Sequence, residues 1–67
     1  MNKYLFLFYN EGLLFGWECF DPKEPVSDAM AVQQAFNMLV CDDDYTHVLI
    51  YAYGSTDDRL LICSIYK

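Results

Sequence analysis

The sequence predicts an α+β fold: a four-stranded, mainly antiparallel sheet with one helix on one face, in ββαββ order. Four short runs rich in aromatic and β-branched residues are separated by turn residues. Between the second and third runs lies a stretch with apolar residues at helical spacing behind a capping serine. A length of 67 residues leaves room for one domain only, spanning 1–67, so these elements must share a single core.

Lys3 to Tyr9 (KYLFLFY) is aromatic and short, as a strand is, and Asn10-Glu11-Gly12 follows as a tight turn. Gly12 suits the positive φ such a turn requires. Leu13 to Phe20 (LLFGWECF) reads as the returning strand, with Leu13, Phe15, Trp17 and Cys19 on one face and Leu14, Gly16, Glu18 and Phe20 on the other. Gly16 inside it points to a bulge or a close approach. Pro22 and Pro25 break the pattern. Ser27 is the expected N-cap, with Asp28 in the first turn where the helix dipole favours an anion. The helix should run to about Val40. Ala29, Val32, Phe36, Leu39 and Val40 form its apolar stripe, widened by Ala31, Ala35 and Met38; Met30, Gln33, Gln34, Asn37 and Cys41 face away. Asp42-Asp43-Asp44 ends the helix, on the unfavourable side of the dipole. Thr46 to Tyr53 and Arg59 to Tyr66 complete the strands, with a turn at 54–58 between them.

Composition narrows the function. The chain is 55% hydrophobic and 18% aromatic, with 10 acidic against 4 basic residues and a net charge of -6. It is too apolar for a disordered chain. Its four scattered cations make no basic patch, so direct nucleic-acid binding is not expected. No run approaches the roughly 18 apolar residues of a membrane span. Met1-Asn2-Lys3 before the apolar run Tyr4 to Tyr9 has the outline of a leader, but Asn10 and Glu11 end the run and no small-residue cleavage site follows. Cys19, Cys41 and Cys63 are too few and odd in number for a disulfide framework and read as free thiols, which places the chain in a reducing cytoplasm.

The topology sorts the charges. All the acids except Glu18 fall in connections or at the helix start. If the first strand runs up, Glu11 and Asp42, Asp43 and Asp44 gather at the upper end. Asp21, Glu24, Asp28, Asp57 and Asp58 gather at the lower end. One helix covers one sheet face, and the other face should then alternate to polar residues. It does not: Leu5, Leu7 and Tyr9 oppose Tyr4, Phe6 and Phe8, and Leu49, Tyr51 and Tyr53 oppose Val48, Ile50 and Ala52. In the last strand Leu60, Ile62 and Tyr66 oppose Leu61, Cys63 and Ile65. A second apolar face is a candidate interface.

Candidate chemistry is sparse. Asp42, Asp43 and Asp44 with His47 offer oxygen and nitrogen ligands, but the spacing lacks the glycine and closing Glu of a calcium loop, and no metal or other cofactor is expected. His47 as a general base has no nucleophile in a local motif, so no enzymatic activity is expected. The acidic loops fit a different role: carboxylates held apart on a small rigid body can occupy Lys/Arg sites that otherwise hold a phosphate backbone. Tyrosines and Trp17 are residue types that anchor such contacts.

In size, single domain, ββαββ order and the clusters Asp42-Asp43-Asp44 and Asp57-Asp58, the whole chain resembles the small acidic inhibitors encoded by phages, notably anti-CRISPR proteins. The resemblance implies a stoichiometric inhibitor that acts in the host cell cytoplasm and blocks a nucleic-acid-handling defence complex. The reading of the residues adds a partner surface of Glu11, Asp42, Asp43, Asp44, Tyr45, Tyr51, Tyr53, Asp57 and Asp58 that meets a protein with a basic surface. The alternative is an obligate homodimer, structural or regulatory, joined through the open sheet face or a sheet edge.

Overall fold

The structure, a computed structural model, describes residues 3–67. Met1 and Asn2, which open the leader-like segment weighed above, lie outside the described residues. The elements are β1 (Tyr4–Asn10), β2 (Leu13–Phe20), α1 (Asp28–Cys41), β3 (His47–Ala52), a single 3-10 turn at Asp58–Leu60, and β4 (Leu61–Tyr66). The strands form one sheet in the order β2-β1-β3-β4, with every neighbouring pair antiparallel. The expected α+β fold and element order are therefore present. The last strand starts two residues later than expected because Asp57 caps the 3-10 turn, accepting the Arg59 N–H at 2.9 Å.

The chain reverses between β1 and β2 through Glu11 (φ 50) and Gly12 (φ 88), the left-handed pair of a two-residue hairpin. Gly12 takes this conformation freely; Glu11 takes it at a cost, since an L side chain crowds the following carbonyl there. Tyr53 (φ 57) and Gly54 (φ 66) repeat the pairing after β3.

Ser27 caps α1 as expected: its side chain accepts the Met30 N–H at 3.2 Å. The buried stripe is turned from the expected one. Ala31, Ala35 and Leu39 are buried, with Val32 and Met38 beside them, whereas Ala29, Phe36 and Val40 are exposed. The reason is volume. The sheet presents the fully buried rings of Phe6 and Phe8 and the side chains of Val48 and Ile50 toward the helix, so small alanines must stand opposite them. Each fully buried Phe, Leu, Ile or Val of this layer stabilises the fold by about 1.5–3 kcal/mol.

Two bulges change the expected faces. The β1–β2 register shifts between Phe8 and Tyr9: Phe8 pairs Gly16 and Tyr9 pairs Leu14, leaving Phe15 as the extra residue. Leu14 therefore joins Trp17 and Cys19 on the helix-free face, while Phe15 packs edge-on against Tyr45 at 6.0 Å. In β4, Leu61 pairs Tyr51 and Cys63 pairs Ile50, so Ile62 is extra. Leu61 then shares the helix-free face with Ser64 and Tyr66, while Ile62, Cys63 and Ile65 pack on the core.

The helix packs chiefly on β3 and also touches β1 and β4. Above β2 the layer is completed instead by Tyr45, whose ring stacks on Phe8 at 4.5 Å and 16°. Its hydroxyl lies 3.0 Å from the position a Cβ on Gly16 would take. Gly16 thus marks a close approach, by a side chain, next to the bulge.

Candidate functional site: two acidic ends and a ring stack

The upper end is wired by backbone and hydroxyl bonds. Thr46 is the hub. Its N–H donates to the Tyr9 carbonyl at 2.7 Å, and its hydroxyl donates to the same oxygen at 3.1 Å. The Glu11 N–H donates to the Thr46 Oγ1 at 2.9 Å, and the Lys67 N–H donates to the Thr46 carbonyl at 3.0 Å. These bonds hold the β1–β2 turn, the start of β3 and the end of β4 as one unit. Asp42 caps the helix C-terminus and accepts the Asp44 N–H at 2.9 Å. The Lys67 ammonium donates to the Asp42 carbonyl at 2.6 Å, supplying from a distant strand the cation that α1 lacks in its last turn. Asp43, Asp44 and Glu11 are left exposed.

Beside this end, on the helix-free face, three rings lie in a stack across β1, β3 and β4. Tyr9 and His47 are 4.7 Å apart at 8°, and His47 and Tyr66 are 4.5 Å apart at 15°. Tyr66 closes the stack and is 70% exposed. The expected surface named acids and tyrosines but omitted this stack. Its signal was in the sequence as Tyr9, His47 and Tyr66 at strand ends, and only the cross-strand register aligns them.

The lower end carries five acids against four at the upper end, but satisfies several of them. The Arg59 guanidinium grips Asp57, with Nη2 at 2.7 Å from Oδ2 and Nε at 3.2 Å from both oxygens. These bonds and the Arg59 N–H hold the Asp57 carboxyl below the ordinary carboxylate range. Lys3 and Asp21 pair at 4.0 Å. Asp28 accepts the Tyr4 hydroxyl at 2.8 Å. Burial first, then this bond and the Asp28 charge, pushes the Tyr4 hydroxyl above its usual pKa. Between Lys3, Tyr4, Asp28, Tyr53 and Arg59 lies an open cleft of about 710 Å³.

The two ends therefore place Glu11, Asp42, Asp43, Asp44 and Tyr45 together, and set Asp57, Asp58 and Tyr53 apart from them. Two tyrosines depart from the expected surface. Tyr51 is only 6% exposed; burial and the nearby Asp58 charge raise its pKa, so it is no exposed anchor. Tyr45 is half-buried against Phe8 and serves packing. Tyr53 stands out into solvent at 66%.

The thiols are free: Cys19 and Cys41 are exposed, and Cys63 is half-buried. Burial pushes the Cys63 thiol above its ordinary range, which keeps it protonated and poorly nucleophilic at neutral pH. Among the described residues, no three His, Cys, Asp or Glu side chains converge as a metal site requires. No helix among them is long and apolar enough to cross a membrane.

Fold and site together define a small antiparallel α+β domain whose charge is segregated to the two ends of its sheet. No family model, curated protein or solved structure matches the chain.

Proposed function

We propose that this chain is a non-enzymatic binding protein of the phage-inhibitor kind. It docks its upper end on a basic, nucleic-acid-binding surface of a host defence complex and keeps nucleic acid from reaching it. The observation that carries this reading is the difference in pairing. Among the described residues both ion pairs lie at the lower end, while Glu11, Asp43 and Asp44 stand exposed at the same end of the sheet as the Tyr9–His47–Tyr66 stack.

Carboxylates and an exposed ring at one end of the sheet match the chemistry of arginine-rich surfaces. A guanidinium pairs a carboxylate through two parallel N–H bonds and lies flat on an aromatic face. The carboxylates need little reorganisation on binding, because Thr46 and Asp42 already fix the loops that carry them. The net charge of -6 steers encounter with a basic target. Glu11 adds a further sign: it occupies a left-handed turn position that Asn or Gly would fill with less strain, and local rules are broken most often at functional positions.

Affinity capture from host lysate tests the reading. The wild type is expected to retain a nucleic-acid-binding complex, and added nucleic acid should displace it. The double variant Asp43→Lys/Asp44→Lys should lose that complex. Retention unchanged by both the charge reversal and raised salt would overturn the proposal.

A further inference from the structure

We infer that two copies of this chain join through β2, antiparallel edge to edge, with the two-fold axis at Trp17. This surface is separate from the upper end and does not depend on the function proposed for it. β2 pairs only with β1, so along its eight residues the backbone groups of about every second one face the free edge unpaired. Such an edge is normally blunted by charge, proline or shortness; β2 holds one charge, Glu18, and no proline. The free edge of β4 is shorter, at six residues.

Several large side chains along β2 remain exposed, although Tyr45 and the packing of Phe20 on the core cover part of its helix-side face. Leu13 is 74% exposed, Leu14 52%, Phe15 54% and Trp17 68%. Four side chains of this size and exposure present roughly 500 Å² per copy. Between them two copies present on the order of 1,000 Å² of such side chains along this edge, and pairing covers their facing flanks in addition to forming main-chain bonds. A second copy is the occupant that also closes the assembly, since an isologous β2–β2 contact ends in a dimer whereas a β2–β4 contact propagates.

Alternation and charge choose the register. Partners across a pair of strands share a face. Centring on Trp17 sets Trp17 against Trp17 of the second copy, Glu18 against its Gly16, and Leu14 against its Cys19 once the Phe15 bulge is counted. Centring one residue later sets Glu18 against Glu18, which like-charge repulsion disfavours. Trp17 at the centre is also the residue type that most often dominates an interface.

Sedimentation velocity between about 1 and 100 μM, with hot-spot magnitudes as the guide, tests the contact. The wild type should be a dimer. Trp17→Lys should raise its dissociation constant at least thirtyfold (roughly 2 kcal/mol), with an unchanged far-UV spectrum because Trp17 makes no part of the core. Ser64→Lys, on the β4 edge, should leave the dimer intact. A wild-type monomer at the highest concentration overturns the inference, as does a dimer that Ser64→Lys breaks and Trp17→Lys does not. The register is tested by Trp17→Cys in a Cys19→Ser/Cys41→Ser background. Directly opposed Cα atoms stand about 4.5–5.5 Å apart, within disulfide reach. Mild oxidation should link the two copies, and a dimer that stays unlinked rules out the axis at Trp17.

Discussion

At the lower end, Asp57 sits in the grip of Arg59, Asp21 faces Lys3, and Asp28 holds the Tyr4 hydroxyl. At the upper end, Asp43, Asp44 and Glu11 have no cation of comparable closeness among the described residues, although the loops beneath them are bonded through Thr46, Asp42 and Lys67. The lower carboxylates are thus part of the fold's own polar structure. The upper ones are charges mounted on a fixed frame, which is the arrangement a docking surface needs. The similar acidity of the two ends in the sequence conceals this difference, because a carboxylate's role is set by what stands within about 4 Å of it.

The largest effect separating the ends should appear at high pH. Tyr4 and Tyr51 both have folded pKa values raised above 10.0, chiefly by burial and then by Asp28 and Asp58 of the lower half. A raised pKa means the folded state holds the proton longer, so this stability is complete below pH ~10 and is lost as pH rises through the folded values. Thermal melts across pH 8 to 12 should be flat and then fall steeply, within the order-of-magnitude range that tyrosine titration spans. Tyr4→Phe should make that fall shallower; an unchanged slope would remove the lower end from the account.

Next in size is the upper frame. Gly16→Val places branched carbon against the Tyr45 hydroxyl, where a Cβ alone already meets it at 3.0 Å. Overpacking of this kind costs about 1–3 kcal/mol. Urea unfolding should show that loss, and adding Tyr45→Phe should restore part of it. Simple additivity of the two changes would mean that Tyr45 is not held where the frame requires.

Glu11→Asn should act in opposite directions on stability and binding. Asn tolerates the left-handed turn position, so stability should rise by about 0.5–1 kcal/mol. Affinity for a basic peptide should fall, since one of three exposed carboxylates is gone. A variant that is both more stable and equally tight in binding would detach Glu11 from the site.

The smallest effect belongs to Asp57. Its folded pKa lies below the 3.8 of the free group because Arg59 bonds it. Its contribution is therefore present above that unfolded value and lost as pH falls through the folded one. Asp57→Asn should flatten the acid arm of the melting curve slightly and leave peptide binding unchanged; weakened binding would make the lower end part of the site.

Much of this architecture was legible in the residues. The aromatic runs marked the strands, with β2 found over Leu13–Phe20 as read, and Ser27 and Gly12 marked a cap and a turn by their own conformational preferences. The helix phase was not legible, because α1 is apolar around much of its circumference and Phe36 and Val40 compete with Ala31 and Ala35 for the inner face. The facing layer of Phe6 and Phe8 decides that contest, and a sequence window does not contain it. The bulges at Phe15 and Ile62 were hidden for a similar reason. One extra residue leaves no compositional mark, yet it moves Leu14 and Leu61 to the other face. The acids were visible as ends of a sheet, but their partners were not: Lys67 meets Asp42 across 25 positions and Thr46 meets Glu11 across 35.

The most direct measurement is an NMR titration of the chain with a short oligo-arginine peptide at about 0.15 M salt, where exposed charges a Debye length apart are screened from one another. The account predicts that shifts concentrate at Glu11, Asp43, Asp44 and the Tyr66 ring, and that Asp43→Lys/Asp44→Lys abolishes them. Shifts centred instead on Asp21, Asp57 and Asp58, or spread equally over both ends, would contradict it.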